Sequence, residues 1–323
     1  MQLIWRAIAL WLLTVAAQPV APSFAQGADS SQNQQQFTNE VIDESVNTTM
    51  LFATQDIFST GTFTKFREEQ PDTRYNTIRA PFEVGLGEKT DRWNPYIYGS
   101  GALLHVSSGT AKPPDATGED DFSTSKLFAL ATGFGTYLRV SDDFRLAASA
   151  ALTFSHLNNR YDFNNSYSQR VLEPDSSLYY NFDLNLFTYA PTMRAIYESR
   201  WGERTVNYTL GYSQLFNNSL SSSSPAVSIN SASGILWNRF AVTEPTGLSI
   251  ANNPSSVRPF FQWSNINGKA ASGLALSNIF EVGADLVVDF KEKLLYFSQM
   301  YWGGSYVTGD NFEGYHLGFG GKF

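Results

Sequence analysis

The sequence predicts a twelve-stranded antiparallel β-barrel that crosses a membrane, with a short helix ahead of its first strand. Three observations carry that expectation. Long stretches alternate apolar and polar residues with a period of two, the spacing of a strand with one face toward an apolar medium. Aromatic residues amount to 15% of the chain while charged residues are only 16%. Beyond the N-terminal leader, no uncharged apolar run approaches the roughly 18 residues of a membrane-spanning helix.

In chain order, the first element is an address. Arg6 precedes the apolar run AIALWLLTVAA, and Ser23 and Ala25 then stand at the spacing a signal peptidase reads. Residues 1–25 therefore predict a secretory signal peptide cleaved after Ala25. The apolar run is too short to remain as a membrane anchor. Without the signal the chain is 323 − 25 = 298 residues, and losing Arg6 takes the net charge from −8 to −9. That acidity disfavours a nucleic-acid partner. There is no cysteine, so an exported fold must be held by packing and backbone hydrogen bonds.

Residues 26–56 form the next division. QGADSSQNQQQ at 26–36 is polar low complexity. Ile42, Val46 and Met50 then recur at i, i+4 and i+8, which predicts an amphipathic helix over 37–50, acidic through Glu40, Asp43 and Glu44.

The barrel is expected over 57–323. Its clearest strand sets Ile78, Ala80, Phe82, Val84 and Leu86 against Arg79, Glu83 and Gly85. Phe128, Leu130, Phe134, Leu138 and Val140 oppose Ala129, Ala131, Gly133, Gly135 and Arg139. Leu146, Ala148, Ala150, Leu152 and Phe154 oppose Arg145, Ser149 and Thr153, and Phe280, Val282, Ala284, Leu286 and Val288 oppose Glu281, Asp285 and Asp289. Twelve such segments fall at about 57–66, 74–87, 94–106, 126–140, 144–156, 180–198, 204–216, 233–243, 256–264, 274–289, 293–303 and 313–323. Each is long enough for a tilted strand to cross a bilayer.

The connections alternate in length. SDD at 141–143, KEK at 291–293 and EKTDR at 88–92 are short and charged, whereas 107–125, 157–179 and 217–232 are long and polar. Short turns on one side and long loops on the other suit an outer-membrane barrel. Residues 244–255 break the rule, being a long connection on the short side. In the last segment Tyr315, Leu317, Phe319 and Phe323 alternate with His316, Gly318, Gly320 and Lys322. It is expected to pair with the first strand, so that no edge remains.

A twelve-stranded barrel ending in this aromatic signature, preceded by a short helix, resembles the translocator domain of autotransporters. Over residues 37–323 it is most similar to the solitary outer-membrane autotransporter barrel family, which lacks a passenger. The resemblance implies the bacterial outer membrane, a non-enzymatic role without cofactor, and a helix in the pore. The expected partners are outer-membrane lipids and lipopolysaccharide, the barrel-assembly machinery and periplasmic chaperones, with a monomeric barrel.

Two chemical alternatives stand beside this reading. His105 and Ser107 form an H-x-S pair on one strand face, the arrangement of an outer-membrane lipid esterase. Leu104 and Val106 read as lipid-facing, which turns that pair into the lumen, away from a lipid substrate. His156 has Asn158 where such a pattern needs serine, and His316 faces inward between glycines. No His, Asp or Glu cluster has metal-ligand spacing, and the acidic GEDD at 118–121 reads as solvated loop charge rather than a calcium site. The other alternative is a passive pore for small solutes.

The inward positions hold most of the charge. Arg79, Arg139, Arg145, Arg194 and Arg239 are expected there with Glu83, Glu198, Glu281, Asp285 and Asp289. Charges in a lumen must be hydrated or paired, and an ion-pair lattice bracing the wall is the favoured arrangement. The glycines at 133, 135, 318 and 320 remove bulk from the inner wall, leaving room for a packed element or a channel. The sharpest expectation is that the helix sits in the lumen with its carboxylates on Arg79, Arg139 or Arg145.

Overall fold

The computed structural model describes residues 42, 44–52, 60–66, 71–87, 92–175, 180–294 and 297–322. The signal segment 1–25, the polar stretch 26–36, Glu40, Asp43 and Phe323 lie outside them. Twelve strands form a closed antiparallel barrel in chain order, β12 returning to pair with β1. They are β1 (Gly61–Lys65), β2 (Thr73–Gly85), β3 (Trp93–Thr110), β4 (Asp121–Arg139), β5 (Phe144–Asp162) and β6 (Phe182–Trp201), followed by β7 (Arg204–Ser222), β8 (Asn230–Ile250), β9 (Asn253–Gly268), β10 (Asn278–Leu294), β11 (Phe297–Gly309) and β12 (Phe312–Lys322). Among the described residues three α-helices accompany them: α1 (residues 44–52), α2 (Ser166–Val171) and α3 (Lys269–Leu274).

The alternation that marks the strands also sorts their side chains. On β2 the outward residues Ile78 and Phe82 are 62% and 51% exposed, while Tyr75 and Thr77 face inward and are buried. Phe134, Leu317 and Phe319 are likewise turned out. A continuous apolar outer wall is incompatible with water and fits a bilayer. Trp93, Tyr197, Trp201 and Tyr208 stand exposed near the turn end of the wall, where interfacial rings collect.

The middle strands are longer than the sequence reading had them. β4 and β5 each run 19 residues and β8 runs 21, against the roughly 9–11 needed to cross a bilayer. The excess comes out of the expected loops: 107–125, 157–179 and 217–232 all contribute strand at their edges. The expected long connection at 244–255 is not a loop. β8 and β9 extend through it and meet at a two-residue turn, Ala251 and Asn252, both left-handed with φ of 49° and 65°. That conformation matches a type I′ hairpin, whose twist suits antiparallel strands. Pairing slips between Pro245 and Ser249, so an irregularity absorbs the proline.

One strand corrects the sequence reading of its faces. On β3 it is Ala102 and Leu104 that are buried in the lumen, whereas Leu103 is 55% exposed on the outer wall. His105 and Ser107 therefore face outward, not inward. Leu103 and Leu104 are both apolar, so alternation alone carries no sign there.

Candidate functional site: the barrel lumen

The loop-end half of the lumen is apolar and filled by α1. Every residue from Val46 to Phe52 is at most 3% exposed. Val46, Met50, Leu51 and Phe52 share one hydrophobic cluster with inward residues of the wall, among them Leu127, Leu157, Leu184, Leu215, Ile235 and Ile266. Phe52 stacks on Tyr75 with ring centroids 4.5 Å apart, and lies 5.4 Å from Phe63 and 6.2 Å from Phe312. An isolated helix this short would be marginal in water, and this packing is what supports it.

A buried amide helps to fix the helix's rotation. Asn47 is fully buried; its Nδ2 donates to Ser231 Oγ at 2.6 Å, and its Oδ1 accepts from Asn217 Nδ2 at 2.7 Å and Ser233 Oγ at 3.1 Å. A buried amide with both ends satisfied costs little in place and much if rotated away.

α3 completes the seal. Its Ala270 and Leu274 are buried, the Ala270 amide donates to Ser233 Oγ at 2.9 Å, and Thr48 Oγ1 donates to the Ala270 carbonyl at 3.4 Å. A side chain at Gly273 would collide with Thr48 and the Glu44 carbonyl, so glycine permits the two helices to touch. Lys65 Nζ caps the end of α3 through the Gly273 carbonyl at 2.8 Å.

The helix therefore occupies the lumen; of the three carboxylates expected to meet the arginines, Glu40 and Asp43 lie outside the described residues, so only Glu44 can be compared. Glu44 forms no ion pair among the described residues. Arg145 pairs instead with Glu198 at 3.2 Å, Arg139 with Asp142 at 2.7 Å, and Arg79 Nε donates to Ser100 Oγ at 3.3 Å. Arg139 and Arg145 lie at the turn end of β4 and β5, below the apolar storey in which α1 sits.

That lower storey holds two braces. In the first, Arg194 on β6 reaches Tyr96 Oη at 2.8 Å, Tyr137 Oη at 3.1 Å and Glu83 on β2 at 3.5 Å. Tyr137 in turn donates to Glu83 at 2.7 Å. β6 and β2 are separated by three strands, so this contact crosses the lumen as a chord. In the second, Asp285 accepts two hydrogen bonds from Arg258, at 2.7 and 2.9 Å, and one from Arg239 at 3.5 Å. Arg239 also lies 3.7 Å over the Phe260 ring. Beside it Glu281 accepts from Ser305 Oγ at 2.5 Å and meets His316 Nδ1 at 3.1 Å, and Asp289 accepts from Gln299 at 2.6 Å.

Asn47, Phe52, Tyr96, Tyr137 and Arg258 were not among the residues the sequence singled out. Arg258 could have been found, because Val257, Pro259 and Phe261 alternate around it. The tyrosines explain the inner-wall glycines. A Cβ on Gly133, Gly135 or Gly320 would strike the ring of Tyr98, Tyr96 or Tyr301, whereas at Gly318 it would meet open space. Gly135→Val is accordingly expected to push Tyr96 off Arg194 and to destabilise the barrel by about 1–3 kcal/mol, read as a lower guanidinium midpoint. An unchanged midpoint would mean the ring has another place to go.

The outer-wall residues of the last strand are Tyr315, Leu317 and Phe319, at 70%, 68% and 67% exposure. Asp121, expected as solvated loop charge, is 2% exposed and pins the loop before α2, accepting from Asn164 N at 2.7 Å, Ser168 Oγ at 2.9 Å and Tyr161 Oη at 3.1 Å. His105 and Ser107 make no hydrogen bond with each other.

Residues 43–319 match the model of the solitary outer membrane autotransporter beta-barrel domain. The chain belongs to this family. It is an autotransporter-type barrel of the outer membrane, and in such barrels the short turns are periplasmic and the long loops extracellular. Among solved structures it is similar to the β domain of the Bordetella autotransporter BrkA, at 11% identity over 81% of this chain and 97% of that one, with a TM-score of 0.47. It is also similar to the translocator domain of the autotransporter NalP from Neisseria meningitidis, at 12% identity over 81% and 85%, with a TM-score of 0.43. A search against curated protein sequences gives no match.

Proposed function

We propose that this autotransporter-type barrel works as a plugged, structural or surface-exposed outer-membrane protein without a passenger, rather than as an open pore. The observation that carries the reading is the burial of Val46 to Phe52 at the extracellular end of the lumen. A channel for small solutes needs a hydrated path, and a helix is about 10–12 Å across with its side chains. Against the esterase alternative, His105 lacks an orienting hydrogen bond among the described residues; its outward direction is compatible with a lipid substrate, and Ser107→Ala tests it.

Conductance in a planar bilayer decides between plug and pore. The intact protein is expected to conduct little, and a variant lacking residues 26–52 is expected to open stable channels. Equal conductance of the two would remove the plug from the account.

A further inference from the structure

The outer wall carries a charge pattern that the lumen does not explain. Backbone pairing aligns its residues into horizontal rows across β2, β3, β4 and β5. The uppermost outward row considered is Arg74, Ser107, Thr124 and Arg160, and the row beneath it is Asn76, His105, Lys126 and Asn158. Below these the chemistry switches: Ile78, Leu103 and Phe128 form the next row with His156, then Ala80, Gly101, Leu130 and Phe154. The change from polar to apolar marks the outer boundary of the membrane on this side of the barrel.

The two polar rows hold three permanent cations and no carboxylate. Arg74, Lys126 and Arg160 are all exposed, as is His105. Arg74 and Lys126 have no ion pair among the described residues. Arg160 shares Asp183 with Asn158, at 3.3 Å and 2.5 Å. The nearest further acids, Asp72 and Asp162, stand one row higher. No other strand among the described residues turns a lysine or arginine outward at the loop end, in a chain whose net charge is −8.

Neighbouring strands lie about 4.8 Å apart, which puts Arg74 and Arg160 at opposite sides of a patch roughly 14 Å wide with Lys126 between and below them. Hydroxyl and amide donors fill the gaps at Ser107, Thr124, Asn76 and Asn158. Directly beneath is a wall of aliphatic and aromatic side chains, Leu103, Phe128, Leu130 and Phe154, each between 44% and 55% exposed. Cations and neutral donors above an apolar wall are complementary to an amphiphile with a phosphorylated head and acyl tails.

We infer that the outer wall of β2–β5 is a binding site for a phosphorylated glycolipid of the outer leaflet. Arg74, Lys126 and Arg160 take its phosphates, the intervening donors take sugar hydroxyls, and the apolar rows take its acyl chains.

The test uses the full-length protein in mild detergent, with lipopolysaccharide, its enzymatically dephosphorylated form and inorganic phosphate as probes. Binding is read by native mass spectrometry and by the temperature at which the folded band is lost on a gel. Lipopolysaccharide should bind and raise that temperature. The dephosphorylated form should bind at least roughly tenfold more weakly, and so should the intact ligand to Arg74→Gln/Lys126→Gln/Arg160→Gln. Because Arg160 also holds Asp183, the double variant Arg74→Gln/Lys126→Gln stands in if the triple variant does not fold. Arg204→Gln, at the turn end, should bind as the parent does. Equal binding of the dephosphorylated ligand, undiminished binding by the double variant, or a response to inorganic phosphate alone would each overturn the assignment.

Discussion

Phe52→Ala is expected to loosen the plug more than any other single change in α1. Removing a buried phenylalanine ring costs about 3–5 kcal/mol where the cavity does not collapse. Here the cavity walls are Tyr75, Phe63 and Phe312 on three barrel strands, which backbone pairing holds in place. Phe52 is the largest buried side chain of the helix, ahead of Met50, Leu51 and Val46, and it shares the task of holding the helix with the Asn47 amide and the Thr48 contact to α3. Hydrogen exchange over 44–52 should accelerate and bilayer conductance should rise, while the strands keep their protection. Phe52→Leu, which retains most of the volume, should change both far less. If Phe52→Ala exchanged and conducted like the parent, the aromatic contact would not be what retains the helix.

Asp285→Ala is expected to be the most damaging change in the charged storey. Its carboxylate is only 7% exposed and is shared by two arginines, Arg258 and Arg239. Removing one member of a buried pair costs about 3–5 kcal/mol, because the remaining charge has no partner. Two guanidinium groups would then face one another, with Glu281, already engaged by Ser305 and His316, as the remaining carboxylate near Arg239. The expected result is a lower guanidinium midpoint and a lower temperature for loss of the folded band. Arg258→Gln in the same chain should recover part of the loss. A midpoint within experimental error of the parent would show the pair to be hydrated and dispensable.

The barrel was legible because its two media differ. Where lipid lies on one side and charge on the other, as at Ile78 and Phe82 against Arg79 and Glu83, alternation has a sign. It loses that sign where the plug makes the lumen apolar too. ALLHV on β3 is such a place: Leu104 packs toward α1 and Leu103 toward lipid, and the sequence cannot distinguish them. The same cause hid the helix contacts. Carboxylates and arginines suggest pairing by charge, whereas the described turns of the helix, from Val46 to Phe52, pack on Leu127, Leu157, Leu184 and Ile235. Apolar residues at inward positions near the loop end were the available signal. The chord from Arg194 to Glu83 joins residues 111 positions apart, and no local pattern reports such a contact.

The aromatic nest around Phe52 bears on the closing of the cylinder as well as on the plug. Phe63 belongs to the first strand, Tyr75 to the second and Phe312 to the last, so the nest straddles the line along which the cylinder becomes a cylinder. Among the described residues five positions of β1 pair there with β12, against eighteen matched positions between β3 and β4. A wall zipped shut with nothing inside would leave those rings facing water behind a short run of paired residues. With the helix already threaded, closing the same line buries all four rings together. Occupancy of the lumen and closure of the cylinder therefore favour one another, because both bury the same four rings.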